Sequence, residues 1–97
     1  MSDPTNNKKE FLRHLDREHY FFAANGTVAR SLPELDQLLE NMAADTFQNH
    51  VNMSKNDFAN WVISSVGDTI LGEQLVNVHE KSQMQLLILR RIVQLLS

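Results

Sequence analysis

The stretch from Met84 to Leu96, MQLLILRRIVQLL, is apolar at positions 84, 86, 87, 88, 89, 92, 93, 95 and 96 and leaves Gln85, Arg90, Arg91 and Gln94 for water. A helix on the surface of a globular protein usually shows one apolar stripe, roughly 100° wide, toward the core. This stripe is wider, so the helix needs apolar neighbours on more than one side. In a chain of 97 residues, where roughly 60 to 65% of the unfolded surface is buried on folding, such a helix is the central core element or a seam between two copies. We expect a helix from about Asn77 to Leu96 that packs a homodimer through Leu86, Leu89, Ile92, Val93 and Leu96.

The remainder reads as one small domain. A hydrophobic fraction of 42% and a charged fraction of 22% match ordinary globular proteins and exclude a disordered or fibrous class. The absence of cysteine rules out disulfides, thiolate metal sites and a cysteine nucleophile. The polar start MSDPTNNKKE has no apolar signal-peptide core, and no window is long and apolar enough to span a bilayer. The expectation is a cytoplasmic protein with residues 1–7 as a flexible tail and residues 8–97 as a single helical domain.

Periodicity and punctuation place the elements. Phe11, Leu12 and Leu15 mark an amphipathic helix over Lys8–His19. Tyr20–Val28 then switches to an aromatic run broken by Asn25-Gly26, which predicts a hairpin near residues 20–29 with a type I′ turn. Ser31-Leu-Pro-Glu34 carries a helix start: Ser as N-cap, Glu in the return position of a capping box, Pro in the first turn. Leu35, Leu38, Leu39 and Met42 follow on one face, with Glu34, Asp36 and Glu40 outward as an acidic side. Asp45 is expected to cap a short helix that turns Phe47 and Val51 inward. Ser54 with Asp57 predicts a second capping box for a helix from about Lys55 to Val66, ended by Gly67. Asp68 caps a short helix through Leu75. The fold class is therefore mainly α, a bundle of four to five helices with a short β-hairpin.

The polar stretch HVNMSKNDFANWV, residues 50–62, is where chemistry could reside. His50, Asn52, Asn56, Asp57 and Trp61 form the candidate motif. Ser54 and Asp57 are taken up by capping in this reading, because the first N–H groups of a helix lack internal partners. Asn52 and Asn56 suit a loop or first turn, where Asn bonds nearby backbone. Trp61 is a core anchor whose indole N–H needs an acceptor, Asp57 or a loop carbonyl. Two roles are open to His50: a base or ligand oriented by Asp57, or a brace that fastens the loop to the helix. The second is the more ordinary use of a histidine so placed.

Other chemistries find no foothold. His14 and His19 are five apart and diverge by roughly 140° on a helix, unlike the i, i+4 pair of a zinc helix, and adjacent His79 and Glu80 diverge as well. Asn25-Gly26 is not a phosphate cradle and no Walker-type lysine follows it. Ser54 and Lys55 point apart at a helix start. No catalytic, cofactor-binding or metal-ligating residue is assigned. The four acids of residues 31–45 account for the net charge of −3, and nine basic groups dispersed among twelve acids offer no stripe for a phosphate backbone.

The series Asn-Gly-Thr-Val, SLPEL, His-Val-Asn and Asn-Asp-Phe-Ala-Asn-Trp resembles a family of small archaeal and bacterial domains of unknown function over residues 20–75. The residues that carry the resemblance are Gly26, Leu32, Glu34, Leu35, Phe47, His50, Asn52, Asn56, Asp57, Phe58, Trp61, Gly67 and Asp68. The chain differs after Trp61, where ISSV replaces a more charged turn, and beyond Leu75, where the apolar last helix has no counterpart. The resemblance implies a compact fold and supplies no activity. The sequence thus points to a non-catalytic protein–protein interaction or regulatory domain that self-associates. A ligand-binding or catalytic domain using His50 with Asp57 is the alternative, and a nucleic-acid-binding protein a distant third.

Overall fold

The computed structural model describes residues 9–97, so the expected tail over residues 1–7 lies outside the described residues. In chain order the elements are a hairpin of β1 (Phe21–Phe22) and β2 (Val28–Ala29), then α1 (Leu32–Glu40) and α2 (Ala44–His50). A second hairpin follows, β3 (Val51–Asn52) with β4 (Lys55–Asn56), then α3 (Asp57–Trp61), α4 (Thr69–Leu75) and α5 (Lys81–Leu96). The mainly helical class is as read from the sequence. Helix α5 packs on α1, α4 and the N-terminal turn Lys9–Leu12, while α3 packs on α4. Leu32, Leu35, Leu39, Phe58, Val62, Leu71, Leu75, Met84 and Ile88 are fully buried in the shared core.

The expected helix over Lys8–His19 is not formed. Two 3-10 turns, Lys9–Leu12 and Arg17–His19, stand in its place, joined by a segment in which Asp16 has extended backbone (φ −72°, ψ 154°). The cause is tertiary: Leu15 is buried and its N–H donates to the Arg30 carbonyl at 2.8 Å, which pulls the chain alongside the end of the first hairpin. A continuous helix would spend that N–H internally.

The hairpin is present where expected, but its turn is different. Gly26 has φ 88° and no other residue from 21 to 29 has positive φ, so a type I′ turn, which needs two such residues, is not made. Gly26 N–H donates to the Ala23 carbonyl at 3.0 Å and Ala23 N–H to the Thr27 carbonyl at 2.9 Å. That is a three-residue loop with its αL position filled by glycine, and Asn25 Oδ1 holds it by accepting from Thr27 N–H and Oγ–H.

Three helix starts use different residues from those expected. Ser31 Oγ does cap α1, accepting from Glu34 N–H, but the Glu34 carboxylate returns to the Arg30 N–H and guanidinium rather than to Ser31. Helix α2 begins after Ala43 without a side-chain cap, and Asp45 accepts only from Thr46 N–H. Helix α3 is capped by Asn56, whose Oδ1 accepts from Ala59 N–H at 3.0 Å; the expected Ser54–Asp57 box is absent. Ser54 instead sits in the two-residue β3–β4 turn and donates to Asn52 Oδ1. The chain could not cap at Ser54 because β4 pairs with β3 first. After Trp61 the helix widens into a π turn, Val62–Val66, and stops at Gly67 with φ 88°, a conformation that a β-carbon disfavours.

Asp68 caps α4 as read from the sequence, accepting from Leu71 N–H. It also does something unforeseen. Arg91, expected to face water, donates from Nε to Asp68 Oδ2 at 2.7 Å and from Nη2 to Oδ1 at 3.1 Å, with side-chain exposures of 12% and 1%. Helix α5 begins at Lys81, four residues later than expected, because Asn77–Glu80 forms the connection from α4.

A bidentate pair this buried becomes costly when one partner is removed. Arg91→Met should therefore lower the unfolding free energy by about 3 kcal/mol, while Asp68→Asn combined with Arg91→Met, which keeps the cap and removes the stranded charge, should recover most of it. Chemical denaturation of the two variants measures the difference.

Candidate functional site

The candidate motif is assembled by the junction of α2, the second hairpin and α3. His50 ends α2 and its ring lies in an aromatic cluster, 5.2 Å from Phe21 and 5.4 Å from Phe58 between centroids. Phe58 also stacks on Phe21 at 4.8 Å and on Phe47 at 5.5 Å, and Trp61 meets Phe21 edge-on at 5.9 Å. Such aromatic contacts add stabilisation beyond the area they bury.

Both imidazole nitrogens of His50 are occupied. Nε2 accepts from the Ala24 N–H at 2.9 Å and Nδ1 lies 2.9 Å from Asp57 Oδ2. A backbone amide can only donate, so Nε2 must carry the lone pair and Nδ1 the proton; the hydrogen-bond network assigns the neutral Nδ1–H tautomer. His50 thereby ties the first hairpin to the start of α3. Asp57 Oδ2 also accepts from Lys55 Nζ at 3.1 Å. No lone pair on this imidazole is left to take a substrate proton or hold a metal.

The other motif residues separate. Asn52 is exposed and holds its own turn. Asn56 is buried and does more than local bonding: besides capping α3, its Nδ2 donates to the Leu75 carbonyl at 2.8 Å and the Val78 carbonyl at 3.3 Å, which fixes the α4–α5 connection. Trp61 donates to the His19 carbonyl at 2.7 Å, the loop-carbonyl choice. A shallow cleft of about 370 Å³ is lined by Asn52, Lys55, Asn56, Asn60 and His79 among others, and neither His50 nor Asp57 borders it. Among the described residues no three His, Asp or Glu side chains gather as a metal site.

The acidic side of α1 divides in two. Hydrogen bonds from Arg30 hold the Glu34 carboxyl below the usual carboxylate range, against a smaller opposing effect of burial. Asp36 is pushed the other way, first by burial and then by the charge of Glu40. Among the described residues no basic side chain pairs with Asp36 or Glu40; Glu40 Oε2 accepts only from Gln85 Nε2 of α5, at 2.6 Å.

On α5 the expected interface is largely exposed. Leu86, Leu89, Val93 and Leu96 show 48%, 50%, 60% and 61% of their surface, and Arg90 and Gln94 flank them around a shallow apolar depression. Ile92 is the exception, since it packs against the core. Sequence reasoning missed Arg91, Lys81, which donates to the Met42 carbonyl, and the reach of Asn56. A signal for Arg91 existed: it lies seven residues after Met84, three after Ile88 and four before Leu95, on the one buried face of α5, where a charge needs a partner.

The sequence pattern of a family of unknown function, DUF5752, matches residues 8–97. The chain belongs to that family. The match runs through α5, beyond Leu75, where the resemblance read from the sequence stops, so the terminal helix is part of the family's domain. No curated protein and no solved structure matches the chain.

His50→Ala should destabilise the fold by about 2 kcal/mol, since it strands the Ala24 N–H and opens space between Phe21 and Phe58. Two-bond ¹⁵N–¹H spectra of the intact protein at neutral pH should show a protonated Nδ1 and a bare Nε2. For the carboxylates the signs are opposite. Glu34, with its lowered value, stabilises fully above the ordinary carboxylate range and loses that contribution as pH falls through its own value. The cost of charged Asp36 is present above its raised value and relieved in acid. Calorimetry should thus find Asp36→Asn more stable than wild type at pH 7 and Glu34→Gln less stable, with both differences shrinking toward acid pH.

Proposed function

We propose that this domain is a non-catalytic protein–protein interaction module with a regulatory or adaptor role, and that it self-associates through α5. One observation carries the reading: Leu86, Leu89, Val93 and Leu96 are exposed over about half of their surface or more and recur at three-, four- and three-residue steps, the a and d spacing of a helix–helix seam. Isolated exposed apolar residues are ordinary on a monomer, but a contiguous strip of a few hundred Å² marks an interaction surface. The catalytic alternative gains nothing from His50, whose two nitrogens are both committed to structure. A protein partner suits the charge pattern better than nucleic acid, because no basic stripe offsets the acids of α1.

The strip is smaller than the roughly 800 Å² per partner of a standard interface, so association is reversible and concentration-dependent. Sedimentation equilibrium up to about 1 mM protein, a range that detects weak dimers, should show dimer formation by the wild type. Leu89→Glu with Val93→Glu should be monomeric throughout, with an unchanged circular dichroism spectrum, because both positions are exposed. A wild-type chain that stays monomeric over the whole range overturns the proposal.

A further inference from the structure

The direction in which a second copy lies can be read from the two flanks of the seam. With residues spaced about 100° apart around a helix axis, Leu86 and Val93 take the a positions and Leu89 and Leu96 the d positions. Arg90 then falls on the e flank and Gln85 on the g flank. Among the described residues no carboxylate pairs with Arg90. On the opposite flank Gln85 holds Glu40 of α1 at 2.6 Å, and Asp36 stands one turn before Glu40 with its charged form disfavoured by burial and by its neighbour. One edge of the strip therefore carries an unpaired cation and the other an acidic pair without a cation.

In a parallel pair of helices the g flank of one faces the e flank of the other, five residues further on; in an antiparallel pair e faces e and g faces g. Position 85 plus five is position 90. A parallel arrangement sets Arg90 of one copy against the Gln85–Glu40 pair of the other, twice by symmetry. An antiparallel arrangement centred on the same strip sets Arg90 close to Arg90 of the other copy and leaves each Glu40, held at Gln85 near one end of the strip, far from any Arg90. We infer that the occupant of the α5 face is a second copy of this chain lying parallel to the first, with Arg90 of each paired to Glu40 of the other. This rests on the self-association proposed above and adds its direction and its ionic contacts. Val93 at an a position with Leu at both d positions agrees with a two-stranded parallel seam.

Two measurements test it on the intact chain. Sedimentation should find the dimer of Arg90→Glu weakened about tenfold and that of Glu40→Arg similarly, since each turns two attractions into repulsions, while the chain carrying both substitutions recovers to within about threefold of wild type. The recovery separates a lost pair from simple damage to the fold. The second uses the absence of native cysteine: Ser82→Cys and Ser97→Cys, at the two exposed ends of the seam side, should each cross-link to themselves on mild oxidation, with little hybrid product when the two variants are mixed. A wild-type dimer indifferent to Arg90→Glu, or a mixture giving chiefly hybrids of the two cysteine variants, overturns the parallel pairing and leaves self-association standing. A wild-type chain that never dimerises overturns both.

Discussion

The rotation of α5 about its own axis is the constraint on which the rest of the structure depends, and the pair between Arg91 and Asp68 fixes it. Met84, Ile88 and Leu95 are buried on one face of α5, but apolar contacts alone would allow a helix with so many leucines to settle in more than one rotation. A guanidinium held at two atoms by a carboxylate with 1% exposure removes that freedom, because another rotation would carry Arg91 away and leave the buried Asp68 carboxylate without its partner. The same carboxylate caps α4, so the cap and the core register of α5 are one contact. Phe11 lies beneath the Arg91 guanidinium at 6.0 Å and closes the site from the N-terminal side. Once α5 is pinned, Leu86, Leu89, Val93 and Leu96 have no place in the core.

The polar residues His50 and Asn56 serve the same end elsewhere in the fold. Each makes contacts that reach across the chain: His50 joins the first hairpin to α3, and Asn56 joins the start of α3 to the connection between α4 and α5. With helices as short as five and seven residues, local helix formation is too weak to hold them, and buried side-chain bonds supply what length does not. That leaves the molecule with well-anchored interior polar groups and an outer strip, on α5, that nothing among the described residues covers.

The two hairpins illustrate how local signals were partly sufficient. Asn25-Gly26 marked the first one, and glycine does occupy the αL position, yet the turn is the three-residue kind because the register pairs Phe22 with Val28. The second hairpin had no such mark: Met53-Ser54 contains neither glycine nor proline, and Asn52 holds it by side-chain bonds. Its formation moved the start of α3 from Ser54 to Asn56. At the N-terminus the spacing of Phe11, Leu12 and Leu15 was compatible with a helix, and the N–H of Leu15 went to Arg30 instead.

By itself the sequence determined the helical class, the inward faces of α1, α2 and α3, the stop at Gly67, and the caps at Ser31 and Asp68. These follow from interactions between residues a few positions apart, whose geometry a helix or turn sets in advance. Tertiary structure alone decided which acceptor Trp61 found, that Nε2 of His50 would meet the Ala24 amide, that Arg91 would be buried while Arg90 stayed outside, and that Ile92 would join the core while Leu89 did not. Those outcomes hinge on partners tens of residues away, and periodicity within one helix carries no information about what stands opposite each of its faces.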